Sequence, residues 1–210
     1  MSKQKSQKSL DEIEKYTIGH YDYHAKSFWL GTKDHDVSQN IEAFLQAMPK
    51  NKTLDILDLG CGPGRDVYTF KSLGHNPTGL DGSKEFCLIA QKYTNCPVLH
   101  QSFLKLNLNK SSFDGIFANA SLFHIPSQEL HRVLCDLHQT LRPNGVLFSS
   151  NPRGNAEGWQ EQRYGHYMEY ETSKNYLNKA GFEIIHHYYR PSGQPRERQP
   201  WLAVVSQRKN

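Results

Sequence analysis

The feature that most limits what this chain can become is a glycine cluster set directly behind a short apolar run. Leu54-Asp55-Ile56-Leu57-Asp58-Leu59 leads straight into Gly60-Cys61-Gly62-Pro63-Gly64. An apolar run of that length, stopped by turn residues, reads as a strand buried on both faces. Behind it, Arg65 to Leu73 reads as a helix with Val67, Phe70 and Leu73 inward and Gly74 past its end. Strand, glycine turn and helix start, in that order, aim backbone N–H groups and a positive helix end at a bound ligand. Glycine is needed there because a side chain would hold the ligand off and because such turns use unusual φ angles. The spacing is G-x-G-x-G, with Arg65 where a dinucleotide fold wants its third glycine.

An acid completes the pattern. Pro77-Thr78-Gly79-Leu80 predicts a second strand ending at Asp81, 21 residues after Gly60. A carboxylate there can accept both ribose hydroxyls of a nucleoside. Ser83 then caps a helix carrying Phe86, Ile89, Ala90 and Tyr93. Val98-Leu99-His100 reads as a third strand and Phe113 to Asn119 as a fourth. Ser127 opens a helix with Leu130, Val133, Leu134, Leu137 and Leu141 on one face, and Val146 to Ser150 is the fifth strand after the Pro143-Asn144-Gly145 turn. Residues 151–170 show no period. A short helix near Ser173 to Ala180 precedes a sixth strand, Phe182 to Tyr189, and a seventh, Trp201 to Ser206. With no helix between them, the last two strands should pair antiparallel. The expected architecture is α/β: an open seven-stranded sheet with helices on both faces.

Ahead of the sheet, residues 11–48 read as a helical cap with a break near Gly31-Thr32, and Ile41, Phe44, Leu45 and Met48 form its apolar stripe. Residues 1–10 contain Lys3, Lys5 and Lys8, no acid and no apolar signal region, and are expected to be a disordered polar tail. Residues 11–210 are expected to form one domain. The formal charge of +4, from 25 basic and 21 acidic side chains, comes largely from that tail and does not indicate nucleic-acid binding. No apolar run approaches a membrane span. Cys61, Cys87, Cys96 and Cys135 form no C-x-x-C pair and read as reduced thiols of a cytoplasmic protein. His20 and His24 have helical spacing without a third ligand, so no metal is expected.

The stretches LDILDLGCGPGRD, GLDGS, FDGIFANASLFHIP and LRPNGVLFSSNPRG together resemble class I S-adenosylmethionine-dependent methyltransferases. That resemblance implies a Rossmann-like sheet of order 3-2-1-4-5-7-6 with strand 7 antiparallel, and S-adenosylmethionine as cofactor. It implies that Gly60, Gly62 and Gly64 line the methionine moiety and that Asp81 holds the ribose. Asp58, Cys61, Gly82, Ser102, Phe103 and Asn119 complete the expected cofactor set. Where the family often has an acid facing the adenine amine, this chain has His100-Gln101-Ser102-Phe103. The opening YDYHAKSFWLGTKDHDVSQNI, the phrase FANASLFHIPSQEL and the ending SSNPRG…EGW…RYG…AGFE…YYRP…QPW are similar to the methyltransferase domain of ovothiol synthase. That likeness implies methylation of an imidazole nitrogen of 5-thiohistidine by a domain usually fused behind an iron-dependent sulfoxide synthase; with only the methyltransferase part in this sequence, a separate synthase in the same pathway is expected.

A lone pair on an imidazole nitrogen is available at neutral pH, so such a site needs residues that bind and orient more than a strong base. His124 and Asn119 are the candidates beside the reacting atoms. Residues 151–170 lie past strand five, at the edge where α/β sheets bind ligands, and are expected to form the acceptor loop. Asn151, Arg153, Trp159, Arg163, Tyr164 and Tyr167 there, with Tyr21 from the cap, are the expected acceptor contacts. Arg153 and Arg163 would hold an acceptor carboxylate. Two alternatives stand beside this: a methyltransferase for another small metabolite, and a non-catalytic module that binds cofactor or activates a partner. A nucleic-acid amino-methyltransferase is disfavoured, because Phe117-Ala118-Asn119-Ala120 stands where N-P-P-Y or D-P-P-Y would follow strand four.

Overall fold

The computed structural model describes residues 2–209, with side chains from Leu10 onward. Seven strands form one sheet: β1 (Asp55–Leu59), β2 (Asn76–Asp81), β3 (Val98–His100), β4 (Phe113–Asn119), β5 (Leu141–Pro152), β8 (Phe182–Arg190) and β9 (Trp201–Arg208). Their order is β3-β2-β1-β4-β5-β9-β8. The first five strands run parallel, while β9 runs antiparallel to both β5 and β8. This is the expected order, renumbered by one feature the periodicity did not reveal. Inside residues 151–170 the chain forms a separate hairpin of β6 (Glu157–Gln160) and β7 (Arg163–His166), pairing Trp159 with Tyr164.

Strand alternation sorts the core into two layers. Ile56, Phe117 and Phe148 point to one face, where α2 (Ser38–Gln46) and α3 (Arg65–Ser72) deliver Ile41, Phe44 and Phe70. Leu57, Leu59, Ile116 and Leu147 point to the other, against α5 (Ser127–Thr140) and α6 (Tyr170–Lys179). The fully buried Phe44 ring stands 5.5–6.4 Å from those of Phe70, Phe117 and Phe148. It reaches the sheet because residue 115 is glycine: a Cβ there would stand 2.4 Å from Phe44 Cζ. A buried aromatic of this kind contributes about 3–5 kcal/mol against truncation to alanine.

The long first helix, α1 (Ser2–Thr32), ends at the expected break and lies across α4 (Lys84–Thr94) and β7. Asp22 fastens it. Its Oδ1 accepts from Ser83 Oγ at 2.6 Å and from the Glu85 backbone N–H at 3.2 Å. Leu10 is buried, so packing begins before residue 11. The helix is continuous from Ser2, whereas residues 1–10 were expected to be disordered; side chains of residues 1–9 lie outside those described. Among the described residues, no helix is long and apolar enough to cross a membrane.

Candidate active site

The segments at the carboxyl ends of β1, β2, β3 and β4 converge on a cavity of about 660 Å³, within the usual range for small-molecule sites. Its floor is the glycine loop. Gly60 has φ +78°, and a Cβ on it would stand 2.4 Å from Ser121 Cβ, so no larger residue fits between β1 and the loop after β4. Gly62, at φ +52°, faces the open cavity, where a Cβ would find only a Phe28 ring atom within 4 Å. That is a space a side chain would take from a ligand. Gly64 also departs from extended backbone, but it turns away from the cavity and packs on Ala90 and Thr94 of α4.

Asp81 stands where β2 meets the cavity. Its Oδ2 accepts from the Gly62 N–H at 2.9 Å and its Oδ1 from the Ser83 N–H at 2.8 Å. Burial pushes its carboxyl up to about 6, against the pull of those two amides. Gly60, Cys61, Gly82, Ser102, Phe103 and Asn119 also line the cavity. Gln101 does not, because its side chain is spent on the backbone N–H and carbonyl of Asn107. Asp58 does not reach the wall either. It is buried under the loop with Oδ2 unpartnered, and burial together with nearby Asp66 drives its carboxyl well above the ordinary range.

On the far wall Tyr21 and His124 form a pair. The Tyr21 hydroxyl lies 2.8 Å from His124 Nε2, and His124 Nδ1 lies 2.7 Å from the Tyr164 carbonyl. A carbonyl only accepts, so Nδ1 carries the proton and Nε2 accepts from Tyr21. Burial lowers the imidazole to about 4, and the Arg163 guanidinium adds to this. His124 is therefore neutral at physiological pH. Tyr21 stacks edge-on with Phe28 and lies 5.7 Å from Phe86, giving this wall an apolar surface. Asn119 lines the cavity with its amide already engaged: Nδ2 donates to Asp66 and Oδ1 accepts from Asn40. Asp66 in turn closes on Arg65 through two bonds, of 2.7 and 2.9 Å.

The expected acceptor residues divide. Tyr21 and Arg163 line the cavity, and Arg163 Nε is buried without a partner. Arg153 does not line it. Its guanidinium closes on Glu169 at 3.1 Å and donates to the Gln199 and Arg196 carbonyls, which ties β5 to the segment before β9. Asn151 accepts from the Phe123 N–H beneath the site. Trp159 packs edge-on against Tyr16 and Tyr164 on the outer side of the hairpin. Tyr164 turns its hydroxyl to Glu157 and contributes its carbonyl to His124. Tyr167 packs beside Phe123, against Gly165. Sequence reasoning did not place Arg65, Asp66, Arg190 and Trp201 on the cavity wall, where they stand. Among the described residues, no three His, Cys, Asp or Glu side chains gather as a metal site.

Comparison with known proteins agrees with this geometry. Residues 56–145 match a family model described as a methyltransferase domain. Residues 56–145 are thus similar to a methyltransferase domain, and the sheet has the class I methyltransferase fold. The chain is 30% identical over 125 residues to the malonyl-[acyl-carrier protein] O-methyltransferase of Pectobacterium atrosepticum, covering 57% of this chain and 49% of that protein. It is 32% identical over 104 residues to the mitochondrial ubiquinone biosynthesis O-methyltransferase of Rattus norvegicus, covering 45% of this chain and 30% of that one. The chain thus spans about half the length of the first of these relatives and less of the second. In fold it resembles the Burkholderia thailandensis 1,6-didemethyltoxoflavin-N1-methyltransferase, solved with 1,6-didemethyltoxoflavin and S-adenosylhomocysteine. The TM-score is 0.75 at 20% identity, over 97% of this chain and 90% of that one. The cavity suits S-adenosylmethionine as a cofactor. Gly62 leaves room beside the loop, and Asp81 offers a carboxylate at the strand end where a ribose is held.

Proposed function

We propose that this protein transfers a methyl group to a ring nitrogen of a small imidazole acceptor, 5-thiohistidine before others. The observation that carries the reading is the condition of the polar groups beside the cavity's acceptor wall. His124 is held neutral with both ring nitrogens engaged, and Asp66 is closed by Arg65 and Asn119. Neither His124 nor Asp66 is free to strip a hydroxyl or a carbon acid. Bound S-adenosylmethionine supplies an electrophilic methyl on a sulfonium centre, which a neutral nitrogen lone pair can attack unaided. An imidazole, which titrates in water at about 6.5, is mostly neutral at pH 7.

The chain's own residues then position and exclude. The Tyr21 hydroxyl donates a hydrogen bond to His124 Nε2, and beside Arg163 its oxygen can still accept from an N–H of the acceptor ring. Holding that N–H turns the opposite nitrogen toward the methyl, and position is worth most in such a transfer. Tyr21, Phe28 and Phe86 keep the wall dry, which favours dispersal of positive charge. Arg163 is the loop arginine that reaches the cavity, and we assign it the acceptor's carboxylate. A thiohistidine acceptor would be made by an iron-dependent sulfoxide synthase, and the four free thiols suit a cytoplasmic setting.

Incubation with S-adenosylmethionine and 5-thiohistidine, followed by mass spectrometry, tests the reading. The expected result is S-adenosylhomocysteine together with a ring-methylated thiohistidine. Turnover with other small acceptors but not with this one would reject the substrate; cofactor binding without any turnover would favour the non-catalytic module.

A further inference from the structure

Of the arginines that line the cavity, Arg65 is paired with Asp66 and Arg163 is assigned to the acceptor, while methyl transfer as described gives Arg190 no task. Arg190 ends β8 and pairs across the sheet with Trp201 of β9, which pairs in turn with Pro152 of β5. Its guanidinium carbon lies 5.6 Å from the centroid of the Trp201 ring, and Nη2 donates to Ser150 Oγ at 2.9 Å. Arg190 and Trp201 both line the cavity. Arg190 Nε is buried without a partner, and among the described residues no carboxylate pairs with the guanidinium. Three other arginines near the sheet's ends have carboxylate partners: Arg65 with Asp66, Arg142 with Asp55 and Asp114, Arg153 with Glu169. Burial, and Arg65 nearby, pull the Arg190 guanidinium below its ordinary value. A half-buried cation beside another cation, with no counter-ion of its own, is costly unless a ligand completes it.

We propose that Arg190, steadied by Trp201 and Ser150, is a carboxylate-binding subsite of this cavity. A single guanidinium with donors left over presents a planar fork, which matches a carboxylate bidentately. Position agrees. Ser150 pairs in register with Asn119 at the end of β4. At about 4.8 Å per strand, the β5 edge where Ser150 holds the guanidinium stands about 14 Å from β2 and Asp81. The subsite therefore faces the end of the cavity opposite the nucleoside. Resting on the reading that the cavity takes S-adenosylmethionine and a small acceptor, two molecules could bring the carboxylate: the cofactor through its methionine tail, or the acceptor.

Calorimetric titration of wild type, Arg190→Met and Arg190→Lys separates these sources. One arm uses S-adenosylhomocysteine and its decarboxylated analogue. The other uses protein saturated with S-adenosylhomocysteine, titrated with 5-thiohistidine and its decarboxylated amine. Arg190→Met should weaken one carboxylate ligand about 10- to 100-fold, leave its decarboxylated partner within about twofold, and be partly rescued by lysine. Loss in the first arm assigns the subsite to the cofactor tail, and loss in the second assigns it to the acceptor. Unchanged binding throughout, or equal loss for carboxylate and decarboxylated ligands, overturns the proposal. If wild type never methylates 5-thiohistidine while the first arm shows the carboxylate-specific loss, the substrate reading falls and the subsite stands. Melting temperature checks the fold. Should the methionine variant not fold, Ser150→Ala, which loosens the same guanidinium, carries the comparison with a several-fold effect.

Discussion

Cofactor affinity should fall about tenfold between pH 7 and pH 5, and Asp81 should account for it. Its carboxyl is pushed up to about 6 because burial opposes the charge more than the amides of Gly62 and Ser83, at 2.9 and 2.8 Å, support it. Ribose hydroxyls donate to the ionised form. With a pKa near 6, roughly nine-tenths of the ligand-free protein is ionised at pH 7 and roughly one-tenth at pH 5, a linked loss of about 1.4 kcal/mol. For the ligand-free fold the sign is opposite. A carboxyl raised above its unfolded value of 3.8 favours folding while protonated, and that contribution is lost as pH rises through about 6. Asp81→Asn abolishes the titration and sets an NH2 against one of the two backbone N–H groups. It should cost about 2–4 kcal/mol of cofactor binding, about 30- to 1000-fold, with no slope from pH 5 to 7. Titration calorimetry with S-adenosylhomocysteine at pH 5, 6 and 7, beside melting curves at each pH, measures both effects. A wild-type dissociation constant that stays level from pH 7 to 5 in folded protein would refute the reasoning, as would an Asp81→Asn variant that keeps the slope.

Gly60→Ala should destabilise the fold by about 3 kcal/mol, roughly 6–12 °C in melting temperature. The new Cβ meets Ser121 at 2.4 Å and φ is +78°; a shift under 2 °C would show that the loop yields. Tyr21→Phe keeps the stack on Phe28 but leaves His124 Nε2 without its donor. kcat/KM for the acceptor should fall about 10- to 100-fold while cofactor affinity stays within about twofold, and steady-state kinetics that move only the cofactor's KM would contradict the assigned role. Arg153→Met breaks the Glu169 pair and the bonds to Gln199 and Arg196, so thermal melting should report a loss of about 1–3 kcal/mol. Acceptor KM should not change, and a large rise in KM at unchanged stability would return Arg153 to the site.

The sheet was legible because its signals are local. Leu54 to Leu59 with glycines behind it can hardly be anything but a buried strand feeding a ligand loop, and Gly60, Gly62 and Asp81 stand where that pattern puts them. The hairpin in residues 151–170 carries no such signal. Its strands are four residues each, Glu157–Gln160 and Arg163–His166, and the turn between them is Glu161-Gln162 rather than Asn-Gly or Asp-Gly. The left-handed φ of +55° that the turn requires falls on Glu161, which nothing in the composition anticipates.

Arg153 and Arg190 show where sequence distance misleads. Arg153 follows β5 directly, the expected place for an acceptor contact, yet its backbone N–H is taken by the Pro200 carbonyl and its side chain turns to Glu169. Arg190 stands much later in the chain, one residue past the expected sixth strand, Phe182 to Tyr189. The antiparallel return is what brings it back. Trp201 pairs with Pro152 on one side and with Arg190 on the other, so the last residue of β8 ends at the same edge as the last residue of β5. Within β8, Arg190 also falls two residues after Tyr188, which packs toward the α2 face with its hydroxyl on Asn40. Side-chain alternation therefore carries Arg190 to the face that bears Asn119, Asp66 and Arg65. Each step is local once the β5–β9–β8 register is known. That register joins residues far apart in the chain, which is why the cation that reaches the cavity could be located from the fold and not from the order of residues.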